Sequence, residues 1–300
     1  MSEQLISIIT PTYNSAEHLE MCILSVAQQS YAHKEHLFID NLSTDGTLEI
    51  VSKYTFIYPH IRLISEKDEG IYDAMNKGIE RSSGKWLYFM GCDDTFFDND
   101  VLTRIFGSDK LEQKDVIYGN VVWGKDGPLY DGEFTPLKLL NKNICHQAIF
   151  FNRRLFKKLG KFEIKYKIYA DWVFNMKWFF FEDILIQYIN QTIAIYNPDG
   201  YSATDDDFVF MENRKSLINN YFPKEYALIF DWHNRESNKN NSLKTNSDTL
   251  YDYIDALQSQ IDILDISINK LRNSVYWKTT KPLRKLLKSI NKRLKNSKKS

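Results

Sequence analysis

The chain carries adjacent acids, Asp93 and Asp94, directly after the apolar run Trp86-Leu87-Tyr88-Phe89-Met90. A strand ending in two carboxylates sets hard oxygen ligands at the edge of a sheet, where a divalent cation bridged to a diphosphate is held. A third acid, Asp40, closes the run Leu37-Phe38-Ile39, and Ile6-Ser7-Ile8-Ile9-Thr10 runs into the Pro11-Thr12-Tyr13-Asn14 turn. Three acids at neighbouring strand ends repel one another unless a cation or a donor-rich ligand joins them. Mg²⁺ or Mn²⁺ answers that repulsion, and a solvated acidic turn is the bland alternative for Asp93 and Asp94. Pro11 fixes φ and turns the chain across the sheet edge, so Thr10, Pro11 and Tyr13 are placed to face a nucleobase or simply to form the turn. Asp68 and Gly70 precede a helical pattern that starts near Ile71. Free backbone N–H groups there suit a diphosphate or ribose, or Asp68 caps the helix.

Strand and helix patterns alternate through the first hundred residues. Strands are read at residues 6–10, 36–41, 62–65 and 85–91, and helices at 16–30, 44–54 and 71–81. That alternation predicts an α/β fold with a mostly parallel sheet covered on both faces. Further along, 115–123 and 148–152 read as strands, 171–181 as a helix, 184–195 as a long strand or strand pair, and 208–232 as helical. With 300 residues, 43% of them hydrophobic, there is enough chain for a full domain at residues 1–230 and an added element beyond it.

Residues 231–249, rich in Asn, Lys and Ser, read as a linker. In residues 250–275, Ile254, Ile261, Ile268 and Val275 alternate with Leu250, Leu257, Leu264 and Leu271 at heptad spacing. β-Branched a with Leu at d favours a parallel two-stranded coiled coil and hence a homodimer; docking on the chain's own domain is the alternative. Residues 276–300 hold ten Lys and Arg and no acid, which leaves 29 of the 39 basic residues against all 39 acidic ones in the remainder. A basic amphipathic tail with Trp277 at its start fits an anionic membrane surface, or else serves as a solubilising tail. Nothing indicates a nucleic-acid partner. The start of the chain lacks a basic n-region and apolar h-region, and no run approaches a spanning helix, so a cytoplasmic protein, peripheral on the inner face of the membrane, is expected. Cys22, Cys92 and Cys145 are too few and too scattered for a disulfide framework.

Four ordered motifs, Pro11-Thr12-Tyr13-Asn14, Asp40-Asn41-Leu42-Ser43-Thr44-Asp45-Gly46-Thr47, Glu66 to Gly78 and Cys92-Asp93-Asp94, closely resemble glycosyltransferase family 2. His146-Gln147 and Ala170-Asp171-Trp172 extend the resemblance to about residue 180. It implies the GT-A fold and an inverting transfer from a nucleotide-sugar donor, UDP-sugar foremost, to a hydroxyl of a polysaccharide or lipid-linked oligosaccharide. The resemblance also implies residue roles. Asp94 would coordinate the metal, Asp93 would contact ribose or sugar, and Asp40 would accept from the base imide. Asp171 would be the general base, with helix capping as its alternative. Where many relatives carry Glu-Asp, this chain has Ala170-Asp171, so the base rests on one carboxylate. His146 would touch the metal or the leaving phosphate, or is a buried structural histidine.

Other chemistries fail on spacing. Residues 78–85 have one residue too many for a phosphate loop, and Trp86 sits where Ser or Thr is required. No Gly-x-Gly-x-x-Gly follows the first strand. A nucleotidyltransferase using the same acids, or a non-catalytic coiled-coil scaffold, are the alternative readings.

Overall fold

The computed structural model describes residues 4–124, 127–130, 132–197 and 207–240. In chain order the elements are β1 (Ile6–Thr12), α1 (Leu19–Ala27), β2 (Lys34–Asp40), α2 (Thr47–Ile57), β3 (Ile61–Ser65), α3 (Ile71–Arg81), β4 (Trp86–Phe89), β5 (Thr95–Phe96) and α4 (Val101–Phe106). There follow β6 (Val116–Trp123), β7 (Leu129–Tyr130), α5 (Pro136–Asn141), β8 (Ile149–Asn152), α6 (Arg154–Leu159), α7 (Ala170–Phe179), β9 (Ile186–Tyr196), α8 (Phe208–Tyr221) and α9 (Lys224–Asn240).

β3, β2, β1 and β4 lie side by side and parallel. Every residue of β2 and all of β1 but Pro11 are buried, as befits strands covered on both faces. Side chains on alternate residues go to opposite layers. Phe38 joins Leu19 and Ile23 of α1 and Val51 and Tyr54 of α2 in one cluster. Ile9, opposite in parity to the register pair Thr10 and Phe38, faces α3 instead. There the helix comes so near that a Cβ on Gly78 would lie 2.3 Å from the Ile9 Cγ2. The chain leaves β1 toward β2 on one side, while β4 pairs on the other. The strand order therefore reverses between β1 and β4, and a crevice opens beyond their carboxyl ends.

The expected mostly parallel sheet is corrected here. It is continuously parallel through the first four strands and parallel again between β6 and β9, but β8 runs antiparallel to both β4 and β6, and β5 and β7 pair antiparallel with β9 and β6. β8 is entered through α5 and a short 3-10 turn, His146–Ala148, with no helical crossover to return the chain to the opposite edge. The stretch read at 184–195 holds one strand, β9 (Ile186–Tyr196), not a pair, with register shifts against β6 between Tyr118 and Val121. An aromatic cluster pins α7 beneath this half: Phe174 stacks on Phe156 with centroids 4.8 Å apart and meets Phe162 edge-on at 5.3 Å.

The chain divides into two units, residues 1–134 with 138–230, and residues 135–137 with 231–300; the first holds the whole sheet. α9 continues to Asn240, so the first ten residues of the expected linker are helical. That stretch contains neither Gly nor Pro, and its Lys, Arg and Glu are good helix formers. Residues 241–249, the heptad segment 250–275 and the basic tail 276–300 lie outside the described residues. No helix among the described residues is long and apolar enough to cross a membrane.

Candidate active site

A cavity of about 610 Å³ occupies the crevice beyond β1 and β4. That volume falls within the range of small-molecule sites. Pro11 and Tyr13 from the end of β1, Asp68 and Gly70 before α3, Asp93 and Asp94 after β4, and His146 before β8 all line it. Seven of the ten residues singled out in the sequence thus share one wall.

The other three do not reach it. Thr10 is fully buried, and its hydroxyl meets His36 Nε2 at 2.9 Å. Asp40 is 0% exposed and accepts four hydrogen bonds: Thr12 Oγ1 at 3.1 Å, Ser43 N at 2.9 Å, Ser43 Oγ at 2.5 Å and Ser65 Oγ at 2.9 Å. Both Thr10 and Asp40 share the strand parity of Phe38, which packs with α1 and α2, and neither is among the residues lining the cavity. In this structure the Asp40 carboxylate is committed to these four donors. The neighbouring residue, Asn41, takes the place on the wall. Asn41 Oδ1 accepts the Asp68 N–H at 2.9 Å, which leaves its NH₂ as the free edge.

Asp171 lies one side chain behind the wall. α7 has Tyr169 as its N-cap with no side-chain cap bond, so Asp171 sits inside the first turn and the capping alternative falls. Its carboxylate is held by Tyr72, Asn143 and Trp172 N, and faces His146 Nδ1 at 3.3 Å. Nor is Asp68 the cap of α3. It accepts the Gly70 N–H at 2.8 Å and so braces a turn in which Gly70 adopts φ 121°, a backbone state favouring glycine.

At the end of β4, Asp94 Oδ2 accepts Gly91 N at 3.1 Å and Gln147 Nε2 at 2.5 Å, and its Oδ1 accepts Asn197 N at 2.9 Å. Asn197 Nδ2 also donates to Asp93 Oδ2 at 3.1 Å. Burial, and then repulsion from Asp93, pushes the Asp94 carboxyl up to about 6. Burial likewise raises Asp68, and lifts the Cys92 thiol to about 11. Five acids line the cavity against a single Lys, Lys167, whose Nζ donates to Glu69 O at 3.1 Å. Asn197 and Lys167 escaped sequence reasoning; Gln147 and Tyr72 lie inside motifs that carry the resemblance but were given no role there.

The model for glycosyl transferase family 2 matches residues 7–181, more than half of the chain. The chain belongs to glycosyltransferase family 2. A PGL/p-HBAD biosynthesis glycosyltransferase of Mycobacterium bovis is 37% identical over 219 residues, covering 71% of this chain and 84% of the relative. Among solved structures, S. aureus TarS 1–349 in complex with UDP-GlcNAc is similar at TM-score 0.60 and 18% identity, over 73% of this chain and 68% of that one. The Pyrobaculum calidifontis mannosyltransferase PcManGT, in complex with GDP-Man and Mn²⁺, is similar at TM-score 0.55 and 17% identity, over 75% and 65%. The fold is thus GT-A, with a mixed sheet and helices on its faces. As a family 2 glycosyltransferase, this enzyme transfers a sugar from a nucleotide-sugar donor to a glycan acceptor.

The donor set suits a hard divalent cation. Among the described residues Asp94 Oδ1 accepts one hydrogen bond, so it keeps a lone pair, and burial followed by repulsion from Asp93 raises its carboxyl. Among the described residues no group of three acidic, His or Cys side chains converges on one point. Mg²⁺-type sites draw on one or two carboxylates and are completed by substrate phosphates and water.

Proposed function

We propose that the enzyme moves a sugar, with inversion, from a UDP-sugar to a hydroxyl of a surface polysaccharide or a lipid-linked glycan. The observation that carries this reading is the shared cavity, whose lining combines the Tyr13 ring and the Asn41 amide with the acids Asp93 and Asp94. The complexes of TarS with UDP-GlcNAc and of PcManGT with GDP-Man and Mn²⁺ support a nucleoside-diphosphate donor on this fold.

The Tyr13 side chain, 62% exposed, offers a face on which a nucleobase stacks. The free NH₂ of Asn41 donates to a base carbonyl. Ile71 and Tyr72 N–H, at the start of α3 where no intrahelical acceptor exists, point positive dipole ends at the diphosphate, and Lys167 adds a full charge. When bound, Mg²⁺ or Mn²⁺ on Asp94 and Asp93 supplies charge neutralisation for the departing nucleoside diphosphate. Inversion requires the acceptor hydroxyl to attack in line and to lose its proton on the face opposite the leaving group. Asp171 is the carboxylate that supports that loss.

A thermal-shift panel of nucleotide sugars with Mn²⁺ tests the reading. Mass action gives a ligand at a hundredfold its Kd about 2.7 kcal/mol of stabilisation, or roughly 5–10 °C for a domain of this size. A UDP-sugar that raises Tm and is consumed with release of UDP is the expected result. A panel with no shift and no nucleoside diphosphate released contradicts it.

A further inference from the structure

An exposed tryptophan stands beside the cavity but not in it. Trp123, the last residue of β6, is 40% exposed and is not among the residues that line the cavity. Single apolar side chains on a surface are ordinary; a large ring held in one attitude by other rings marks a place of contact. Trp123 pairs in register with Tyr196 at the end of β9, and Val121, two residues earlier, pairs with Tyr130 of β7. Alternation along the strands therefore sets Trp123, Tyr130 and Tyr196 on one face of the sheet. They meet there: the Trp123 ring centroid lies 5.0 Å from that of Tyr196 and 5.4 Å from that of Tyr130. Trp123 N–H donates to Pro128 O at 3.1 Å and Gly124 N–H to Tyr196 O at 2.8 Å, which pins the strand ends that carry the rings.

Two lines of contact run from this cluster into the reaction site. Tyr196 itself lines the cavity, and the next residue, Asn197, donates to both Asp93 and Asp94. On the other side, Tyr130 Oη donates to the Asn143 carbonyl at 2.9 Å, and Asn143 Nδ2 donates to Asp171 Oδ2 at 2.9 Å. The cluster is thus tied both to the acids on the leaving-group side and to the carboxylate that supports loss of the acceptor proton. The donor is assigned to the cavity, so the partner of a surface adjoining it is the acceptor. A pyranose suits that surface. Its C–H face is slightly positive and meets the negative face of an indole, while its rim of hydroxyls meets the phenols and amides alongside. An acyl chain would use the ring and none of the polar rim.

We propose that Trp123, Tyr130 and Tyr196 form an acceptor subsite in which the Trp123 indole stacks on a pyranose ring of the glycan that receives the sugar; this rests on the transferase reading above. Trp123 is the residue that touches the acceptor. Tyr130 and Tyr196 hold the indole from two sides and couple its position to Asp171 and to the pair Asp93 and Asp94. Stacking on one face leaves the hydroxyls at the ring edge able to enter the cavity. Because stacking reads a ring face and not one particular hydroxyl, the subsite takes more than one pyranose weakly, and the cavity beside it selects which hydroxyl reacts.

The test uses the full chain with UDP and Mn²⁺. Its probes are the methyl glycosides of glucose, galactose, mannose, rhamnose and N-acetylglucosamine, read by saturation-transfer difference NMR. Wild type is expected to saturate the ring C–H protons of at least one of them, with a Kd on the order of millimolar. Trp123→Ala is expected to weaken that Kd by about tenfold or more and Trp123→Phe by no more than about threefold, with UDP affinity within about twofold of wild type in both. Trp123→Leu, which keeps an apolar side chain between the two tyrosines but no ring, serves if the alanine variant melts early. Unchanged glycoside binding in the alanine or leucine variant overturns the proposal, as does a wild type that saturates none of the probes. A loss of UDP affinity as large as the loss of glycoside affinity also overturns it, because Trp123 would then serve the donor. Octyl β-glucoside separates ring from chain: saturation confined to its octyl protons assigns the surface to a lipid and overturns the proposal. A wild type that releases UDP from no UDP-sugar overturns the transferase reading itself, and that result is distinguishable because it needs neither variant nor glycoside.

Discussion

Asp40 and Asn41 are adjacent, and the fold gives them opposite duties. Replacing Asp40 by Ala strips the acceptor from three hydroxyls and one fixed backbone N–H, that of Ser43. The hydroxyls of Thr12, Ser43 and Ser65 can rotate to other acceptors, but the Ser43 N–H cannot move. Hydrogen bonds to a charged group are worth about 1.5–3 kcal/mol each, and a buried donor left without its acceptor costs about 1–3 kcal/mol. With about 2–4 °C lost per kcal/mol in a domain of this size, Asp40→Ala should melt roughly 10 °C below wild type. Asp40→Asn keeps one oxygen and turns an NH₂ toward the remaining donors, so its loss should be about 1–3 kcal/mol. Differential scanning calorimetry reads the first quantity, and titration of UDP well below the melting transition reads the second. UDP affinity in both variants should stay within a few-fold of wild type. An Asp40→Ala protein that melts within about 1 °C of wild type but loses about a hundredfold in UDP affinity would refute the reasoning, because it would place Asp40 on the donor.

Asn41→Ala should show the inverse pattern, with Tm nearly unchanged and UDP affinity down by about tenfold, since it removes a hydrogen bond at the wall and leaves Asp68 N–H able to reach water. Gly78→Ala should cost about 1–3 kcal/mol by overpacking, because its Cβ would fall 2.3 Å from Ile9 Cγ2, and urea melts would report it. Burial holds His36 well below its usual range and brings His60 down to about 4, while both titrate near 6.5 when unfolded. The unfolded chain therefore binds more protons below that point, so stability is full above about pH 6.5 and falls as pH drops toward 4. Urea midpoints should decline across that window, and His36→Asn should flatten the slope.

The acids at Asp68, Asp93 and Asp94 were legible because a strand or helix boundary next to a carboxylate fixes which edge of the sheet it occupies. The choice between Asp40 and Asn41 was not. A strand buried on both faces carries no alternating pattern, so parity must come from the neighbours, here Phe38 against the α1 and α2 layer. Asn197 reaches Asp93 and Asp94 from 103 residues beyond Asp94, a pairing that no local pattern encodes. The antiparallel course of β8 escaped for the same reason, since strand direction depends on where a connection returns. β5, two residues long, is too short to leave any period. The Asn- and Ser-rich composition after Trp232 suggested a linker, yet without Gly or Pro it did not stop α9 short of Asn240.

The most direct test of the central claim, that the acidic tip of β4 works together with the turn before α3 in one donor site, is calorimetric titration of UDP with and without Mn²⁺ into wild type and Asp94→Asn. Wild type should bind UDP at least tenfold more tightly with Mn²⁺, and Asp94→Asn should keep the metal-free affinity while losing that gain. An Asp94→Asn protein with the full Mn²⁺-dependent gain would contradict the account.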